Sequence, residues 1–468
     1  MRAITSEPEA LPTWRAALAE GRWAVLVLLC LGIWLHAADA LVVATTMPAI
    51  VAEVGGLAWV GWSLALYEVG SILAGALGGL TAARYGAGPA LAVAAGIYAL
   101  GCLASGLAPD MGWFLAGRSV QGFGGGAMVA LCHIAVTRAF AEAFWGRIYG
   151  LISAVWGVSA LAGPLIGGLF AEAGLWRWAY FVFALQAVLV VLLAPMLLRS
   201  GRAAEGRAAP SKAPVPWLAL AALVPGILGI AAAGVVERSW LAALLALGGL
   251  AFLALFFRLD RRAVASLLPH RSLGAPHVVW GLVLVLAFCT ANVSFALYGP
   301  LLLERLHGIG PLGAGYLLSL ESVAWSVAAV LTARTRPEGE GRLLKLGALG
   351  IALSIVLFAI GVPDGPVLLI GAAACVSGGG FGLFWSFLVR RVVAAARPRD
   401  RELAAGAVPT LQMLGYALGA AAAGILANVM GFTAEAAEAT VVSIARWIFL
   451  AFLPLGALGL LAAWRVAR

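Results

Sequence analysis

Of the 21 acidic residues in this 468-residue chain, only Asp39, Glu68 and Glu321 fall well inside long apolar runs. A carboxylate there costs about 2.5–3.5 kcal/mol on insertion scales, so each needs a partner, a wet cavity or a proton. One arginine, Arg118, is enclosed in the same way. At 1.5 Å per residue, Asp39 should lie about 12 Å below the far end of the first run, near Met47. Arg118 should lie about 10 Å below the far end of the fourth, near Met111. The two charges are thus expected at one level, where Asp39 can alternate between pairing with a cation and holding a proton. Burial favours the neutral acid; the arginine favours the ion. His36 sits one turn from Asp39 on the same helical face. For His36 and His133 two readings stand: a proton role, or a polar side chain satisfied by a neighbouring helix.

Glu68 and Glu321, about 16 and 15 Å from the far surface by the same rise, fall near the midplane, where transporters hold substrates. The residues expected to line a cavity with them are Trp62, Tyr67, Gln121, Trp156, Asn292, Tyr298, Trp325, Trp385, Gln412 and Tyr416. Carboxylates beside aromatic faces favour lipophilic cations through charge pairing and cation–π contact. Tyr298, next to Gly299-Pro300, has a second reading as an interfacial anchor. The fifth run carries Gly157 and then Gly163-Pro164-Leu165-Ile166-Gly167-Gly168. Proline removes a backbone donor and kinks a helix, while small residues let a neighbour pack on the bend. That combination reads as a gate or seal, or as an ordinary packing face.

What positions these residues follows from composition. The chain is 63% hydrophobic and 11% charged, with mean hydropathy +1.02. Soluble domains run nearer 45–50% apolar and about 25% charged, so lipid is the solvent for most of this chain. Fourteen apolar runs fall at 23–47, 57–82, 88–108, 111–139, 145–170, 177–198, 216–236, 239–258, 277–302, 311–333, 342–361, 365–390, 402–430 and 441–464. Each is near the ~20 residues a span requires. The seventh is interrupted by Pro225-Gly226, and the eighth is short, following a Glu237-Arg238 turn. With both termini cytoplasmic, alternate breaks hold 25 Lys and Arg inside against 4 outside, Arg118 being the last of the 30. That asymmetry is the positive-inside signature of an even span count.

The net charge of +9 is confined to short loops, with no basic helix to meet nucleic acid. The first run lacks a small-residue cleavage site, which argues against secretion. Five cysteines sit inside apolar runs without paired or metal-type spacing, and read as small apolar fillers. No metal and no cofactor are expected.

The expected organisation is a cytoplasmic segment over 1–22, a six-helix bundle over 23–198, a cytoplasmic linker over 199–216, two inserted helices over 217–258, a cytoplasmic loop over 259–276 and a second six-helix bundle over 277–464. A weak internal echo supports duplication: Glu68 precedes Thr81-Ala82-Ala83-Arg84, as Glu321 precedes Thr332-Ala333-Arg334. Duplicated halves are one transporter build.

Four stretches together resemble the motifs of the major facilitator superfamily, in particular its fourteen-span drug:proton antiporter family. They are Asp39 followed nine residues later by Pro48, Arg118-Ser-Val-Gln121-Gly122, Gly163-Pro164-x-x-Gly167-Gly168, and Trp176-Arg177-Trp178. The resemblance implies an all-α fold of two six-helix bundles plus two helices, exporting a substrate in exchange for protons by alternating access. It assigns proton coupling to Asp39 and Arg118, and restriction of leakage to Gly163 and Pro164. Two positions depart from it. The loop Gly79-Leu-Thr-Ala-Ala83-Arg84-Tyr-Gly86-Ala87-Gly88 lacks the family's Asp and trailing basic pair. Gln412, ahead of Gly415 and Gly419, stands where an arginine is frequent.

The function expected is proton-coupled export of hydrophobic, cationic small molecules by a monomer in a bacterial inner membrane. The alternatives are a dedicated metabolite or lipid exporter and, remotely, a membrane-embedded transferase. The transferase needs clustered His, Asp or Cys at a membrane face, whereas the five histidines here are scattered. The charge asymmetry makes one outcome testable. A green fluorescent protein fused after Arg468 should fluoresce, and alkaline phosphatase at the same point should be inactive; the reverse pair would invert the topology.

Overall fold

In the computed structural model the described residues are 22–198, 215–236, 238–264, 266–333 and 335–468. Residues 1–21 of the expected 1–22 segment, residues 199–214 of the expected linker, Glu237, Ala265 and Arg334 lie outside them. Fifteen α-helices account for nearly all of the rest: α1 Arg22–Val54, α2 Val60–Tyr85, α3 Ala87–Gly106, α4 Met111–Ala139, α5 Glu142–Glu172, α6 Trp176–Leu197, α7 Trp217–Ala233 and α8 Ser239–Arg262. They continue as α9 Pro276–His307, α10 Pro311–Thr332, α11 Pro337–Asp364, α12 Val367–Ala395, α13 Arg401–Val429, α14 Glu438–Leu450 and α15 Leu453–Val466. Helices suit this solvent because they satisfy every backbone polar group internally.

Every expected run is helical, and the differences lie at the ends. α1 runs through Pro48 to Val54, seven residues beyond the expected limit. Asp39 is therefore about 22 Å from that end rather than 12. α8 is not short, because Arg258, Asp260, Arg261 and Arg262 continue the helix. α7 runs through Pro225 but reaches only 17 residues. The last run is broken at Ala451-Phe452 into α14 and α15. Thirteen helical stretches among the described residues are long and apolar enough to cross a membrane.

The same packing scheme occurs twice. α1 packs on α5, α2 on α4, α3 on α4 and α6; correspondingly α9 packs on α13, α10 on α12, and α11 on α12, α14 and α15. Glycines set the closest approaches. Gly122 and Gly126 of α4 lie against the backbone of Tyr67 and Ser71 on α2, on either side of Glu68. Gly378 and Gly382 of α12 lie against the backbone of Glu321 and Trp325 on α10. A pair of small residues one turn apart thus brings each acid-bearing helix against its partner.

Between the two sets, α5 packs on α10 and α2 on α13. At the end of the helices remote from the chain termini, one apolar core joins both sets, from Met47, Val60, Met111 and Trp176 to Leu297, Ala314, Ala423 and Ile444. Toward the terminal face the core divides. One part belongs wholly to α1–α6, including Leu29, Leu91, Leu131 and Phe183. The other gathers residues of α7, α8, α9, α11, α12, α13 and α15 with Ala65, Val69 and Ile72 of α2. The two sets are thus closed together at the far face, and toward the terminal face they share a core along α2.

Gly122→Val should lower the detergent melting temperature and yield sharply, because any Cβ there meets the Tyr67 carbonyl. Gly79→Ala on the same packing pair should be neutral, since a Cβ there meets nothing within 4 Å.

Candidate functional site

Asp39 and Arg118 are both buried, and Arg118 Nη1 donates to Asp39 Oδ2 at 2.6 Å. The pair is held by side chains from three helices. Gln121, one turn along α4 from Arg118, donates from Nε2 to Asp39 Oδ1 and to Cys102 Sγ, and accepts from Arg118 Nη1 at 2.9 Å. Tyr98 of α3 donates toward Leu35 O at 2.9 Å and Asp39 Oδ1 at 3.3 Å. The Tyr67 ring lies 4.4 Å from the guanidinium carbon, a cation–π contact that is strongest when desolvated. Tyr67 OH is 2.8 Å from His36 Nδ1, and His36 meets the edge of Trp156 at 6.0 Å. His36 is thereby linked to the pair through Tyr67 rather than by bonding Asp39.

The network is incompletely satisfied. Arg118 Nε and Nη2 are buried without a hydrogen-bond partner, as are Glu68 Oε2, Tyr180 OH and Ser105 Oγ. Glu68 lies within electrostatic reach of both Arg118 and Asp39. The guanidinium therefore has unused donors and a second carboxylate nearby. Buried unpaired polar groups are costly, so this cluster holds polar capacity that its present contacts leave unused.

The second acid site is separate. Asn292 of α9 donates from Nδ2 to Glu321 Oε1 at 2.6 Å, and the Ser377 hydroxyl of α12 lies 2.8 Å from both Glu321 Oε1 and Asn292 Oδ1. All bonds to the carboxyl use one oxygen, so a proton can occupy the other without breaking them. No cation pairs with Glu321 among the described residues. Beside it Trp325 stacks on Phe381 at 4.9 Å, with Trp385 at 5.5 Å. Tyr416 of α13, bonded by Gln412 Nε2 at 3.1 Å, lies within electrostatic reach of both Glu68 and Glu321.

The expected cavity wall thus divides. Trp156, Asn292, Trp325, Trp385, Gln412 and Tyr416 are half-buried or exposed. Tyr67 and Gln121 are instead fully buried members of the Arg118 network, because the glycines of α4 draw α2 onto them. Trp62 meets Trp59 in a tilted ring contact at 5.3 Å and packs on the far core. Tyr298 is neither wall nor interfacial anchor. α9 continues nine residues beyond it, which places it in the far core against Phe432.

Gly163 and Gly167 press on α1 at Ala38, Leu41, Val42 and Thr45, while Gly168 and the Pro164 carbonyl meet Leu312 and Gly315 of α10. The Gly–Pro run is therefore the joint between the two sets at the far end. Arg84 lies over the Tyr85 ring at 5.3 Å, and Gly86 adopts φ +83° in the turn between α2 and α3. At the far face Trp176 Nε1 and Arg177 Nη2 both donate to Glu53, and Arg177 Nη1 reaches the Gly106 and Ala108 carbonyls.

Sequence reasoning missed Tyr98, Ser377, Glu53 and the role of Cys102. Ser377 heads a Ser-Gly-Gly-Gly run whose close packing was a usable signal. Tyr98 is a tyrosine in an Ala-rich helix with nothing in its spacing to mark it.

This fold, with paired helices around buried carboxylates between two similarly packed sets, is that of a membrane transporter. The Major Facilitator Superfamily profile matches residues 29–390, and the chain belongs to that family. It is 31% identical over 468 residues to a probable multidrug-efflux transporter of Mycobacterium tuberculosis, covering 97% of each chain. Multidrug resistance protein 3 of Bacillus subtilis is 23% identical, over 87% of this chain and 80% of its own. Among solved structures, a peptide transporter POT in complex with sulfate superposes with TM-score 0.70 at 14% identity, covering 98% and 97% of the two chains. The chain is a multi-pass membrane transporter and not an enzyme.

Arg118→Met should leave Asp39 buried without its cation, a loss of about 3–5 kcal/mol for breaking such a pair, read as a fall in melting temperature. Adding Asp39→Asn should recover much of that loss, because the uncompensated charge is gone. Additive losses would mean that the two side chains are not coupled.

Proposed function

We propose that this chain is a proton-driven exporter of hydrophobic, cationic small molecules, with fourteen spans and both termini in the cytoplasm of a bacterium. The carrying observation is the contrast between the two acid sites. Asp39 is neutralised by Arg118 inside a network with spare donors, which suits a proton site. Glu321 has neutral partners only and aromatic faces beside it, which suits an organic cation.

On this reading a proton on Asp39 releases Arg118, whose unused donors turn toward Glu68. That change of partners alters the packing of α1 on α4 and biases the two bundles, 23–198 and 277–464, toward one arrangement. Coupling requires only that the ion pair be worth a different amount in the two arrangements. The terminal face is the cytoplasmic one, so the arrangement described is inward-facing. α7, at 17 residues, is at the lower limit for a span and crosses as the seventh. The relatives named for multidrug efflux support the direction of transport.

The test is ethidium transport by the purified chain in proteoliposomes under an imposed pH gradient. Asp39→Asn should cut the gradient-driven rate at least tenfold. Glu321→Gln should weaken ethidium transport more than transport of a neutral substrate. Dye movement indifferent to both the gradient and Asp39→Asn would overturn the coupling. Transport of neutral lipids but not of cations would favour a dedicated exporter.

A further inference from the structure

Three side chains around Glu321 need more hydrogens than two of them supply. Glu321 Oε1, the Asn292 amide and the Ser377 hydroxyl form a closed triangle. Asn292 Nδ2 is 2.6 Å from Glu321 Oε1, and Ser377 Oγ is 2.8 Å from both Glu321 Oε1 and Asn292 Oδ1. All three sides are at hydrogen-bond length, and a hydrogen bond on each side takes one hydrogen. An amide offers hydrogens from its nitrogen alone, and a hydroxyl has a single one. Asn292 therefore fills the side it shares with Glu321, and Ser377 fills only one of the other two. One side is a hydrogen short. Exchanging Nδ2 and Oδ1 of Asn292 moves the gap without closing it, because the amide then fills only the side it shares with Ser377.

A carboxyl hydrogen on Oε1 closes the triangle. Glu321 then donates to Ser377, Ser377 to Asn292, and Asn292 to Glu321. A hydrogen on Oε2 neutralises the acid but leaves the triangle incomplete. Close packing fixes the corners. Ser377 precedes Gly378, and Gly378 and Gly382 press α12 against the backbone of Glu321 and Trp325. One turn along, Trp325 stacks on Phe381 at 4.9 Å. Asn292 arrives on α9 between Thr290 and Val293, on which Gly419 of α13 packs. The charged and titratable groups on the neighbouring helices are engaged elsewhere. On α1, Asp39 is paired with Arg118 and His36 contacts Tyr67. On α2, Glu68 lies toward Arg118. The α5 group beside Ser319 of α10 is the Ala160 carbonyl. Tyr416 of α13 lies within electrostatic reach of Glu321, and its hydroxyl accepts from Gln412.

We infer that Ser377 and Asn292 are positioning residues that hold a proton on Glu321 Oε1, and that an arriving organic cation exchanges for this proton. The inference rests on the cation site proposed above and states what that site contains beforehand. The exchange balances. The O–H bond of Glu321 breaks, the proton leaves to water in the cavity, and the carboxylate keeps the electron pair and faces the cation. Trp325, one turn along α10, and Trp385 of α12 offer the cation their ring faces. The triangle then opens. Ser377 donates to the carboxylate, and Asn292 Oδ1 is left without a hydrogen. The contact given up joins α12 to α9, so occupancy of the site is felt in helix packing.

Both tests use the full chain in nanodiscs. By infrared difference spectroscopy, the unliganded chain at neutral pH should show a carboxylic-acid C=O stretch that Glu321→Gln lacks. No such band would overturn the protonated triangle. A band lost when choline chloride is replaced by sodium chloride would place an alkali cation there and overturn it equally. Tetraphenylphosphonium, a cation with no titratable hydrogen, should on saturation release about one proton per chain into weak buffer, read by an indicator dye. Glu321→Gln should release none. Ser377→Ala and Asn292→Ala should each release less than half as much as wild type, because Glu321 has already lost its proton. No release from wild type, or undiminished release from Ser377→Ala, would overturn the exchange. If tetraphenylphosphonium failed to bind the wild-type chain, the proposed export of cations would fail, and the infrared band would still decide the state of Glu321.

Discussion

The constraint that organises this molecule is the expense of an uncompensated charge in a low-dielectric interior. Asp39 and Arg118 meet that constraint together, and much of α1–α4 is arranged so that they can. Gly122, Gly124 and Gly126 remove side chains where α4 crosses α2 and α3, which draws Tyr67, Tyr98 and Gln121 into reach of the pair. Any larger residue at those crossings would separate the helices and leave two charges with incomplete partners. The glycine content, which looks like a packing statistic from composition alone, is here a condition for the electrostatics.

Equally informative is what the network leaves undone. A buried ion pair kept only for stability would use all its donors, because replacing such a pair by apolar residues is often neutral or better. Arg118 instead keeps Nε and Nη2 unpaired, with Glu68 near. Glu321 keeps one oxygen free of protein partners while Asn292 and Ser377 fix the other. The two acids thus differ: both Asp39 oxygens accept hydrogen bonds, whereas the bonds to Glu321 fall on one oxygen.

Most of this architecture was legible in the sequence because lipid enforces simple rules. Apolar length marks a helix, and intramembrane charge marks a site; all fourteen runs and the Asp39–Arg118 pairing followed from these. Helix ends were less legible. α1 passes Pro48 and α9 passes Pro300, because proline is tolerated where neighbouring helices meet the freed carbonyl. Depths measured from an assumed helix end were correspondingly wrong for Asp39, although its partner was right. Nor could periodicity divide cavity wall from core. Tyr67, Tyr298 and Tyr416 are alike as aromatic residues in apolar helices, and they end in an ion-pair network, a closed core and the space between two acids. Their fates depend on which helices meet, which the one-dimensional pattern does not carry.

The inserted pair α7–α8 shows how an addition changes a duplicated design. Two equivalent halves facing each other should present two equivalent seams, and the packing of α5 on α10 and of α2 on α13 retains that equivalence at the far end. Adding two helices over one seam breaks it without touching the buried carboxylates. Apolar surface on α2 and α13 that would otherwise face lipid is now shared with Leu223, Ile227 and Phe256, so parting that seam would expose a three-way core rather than a single line of contact. The α5–α10 seam is shared instead with α1, through Thr45 against Gly167 and Gly315. The lateral asymmetry of the molecule follows from where its extra helices rest.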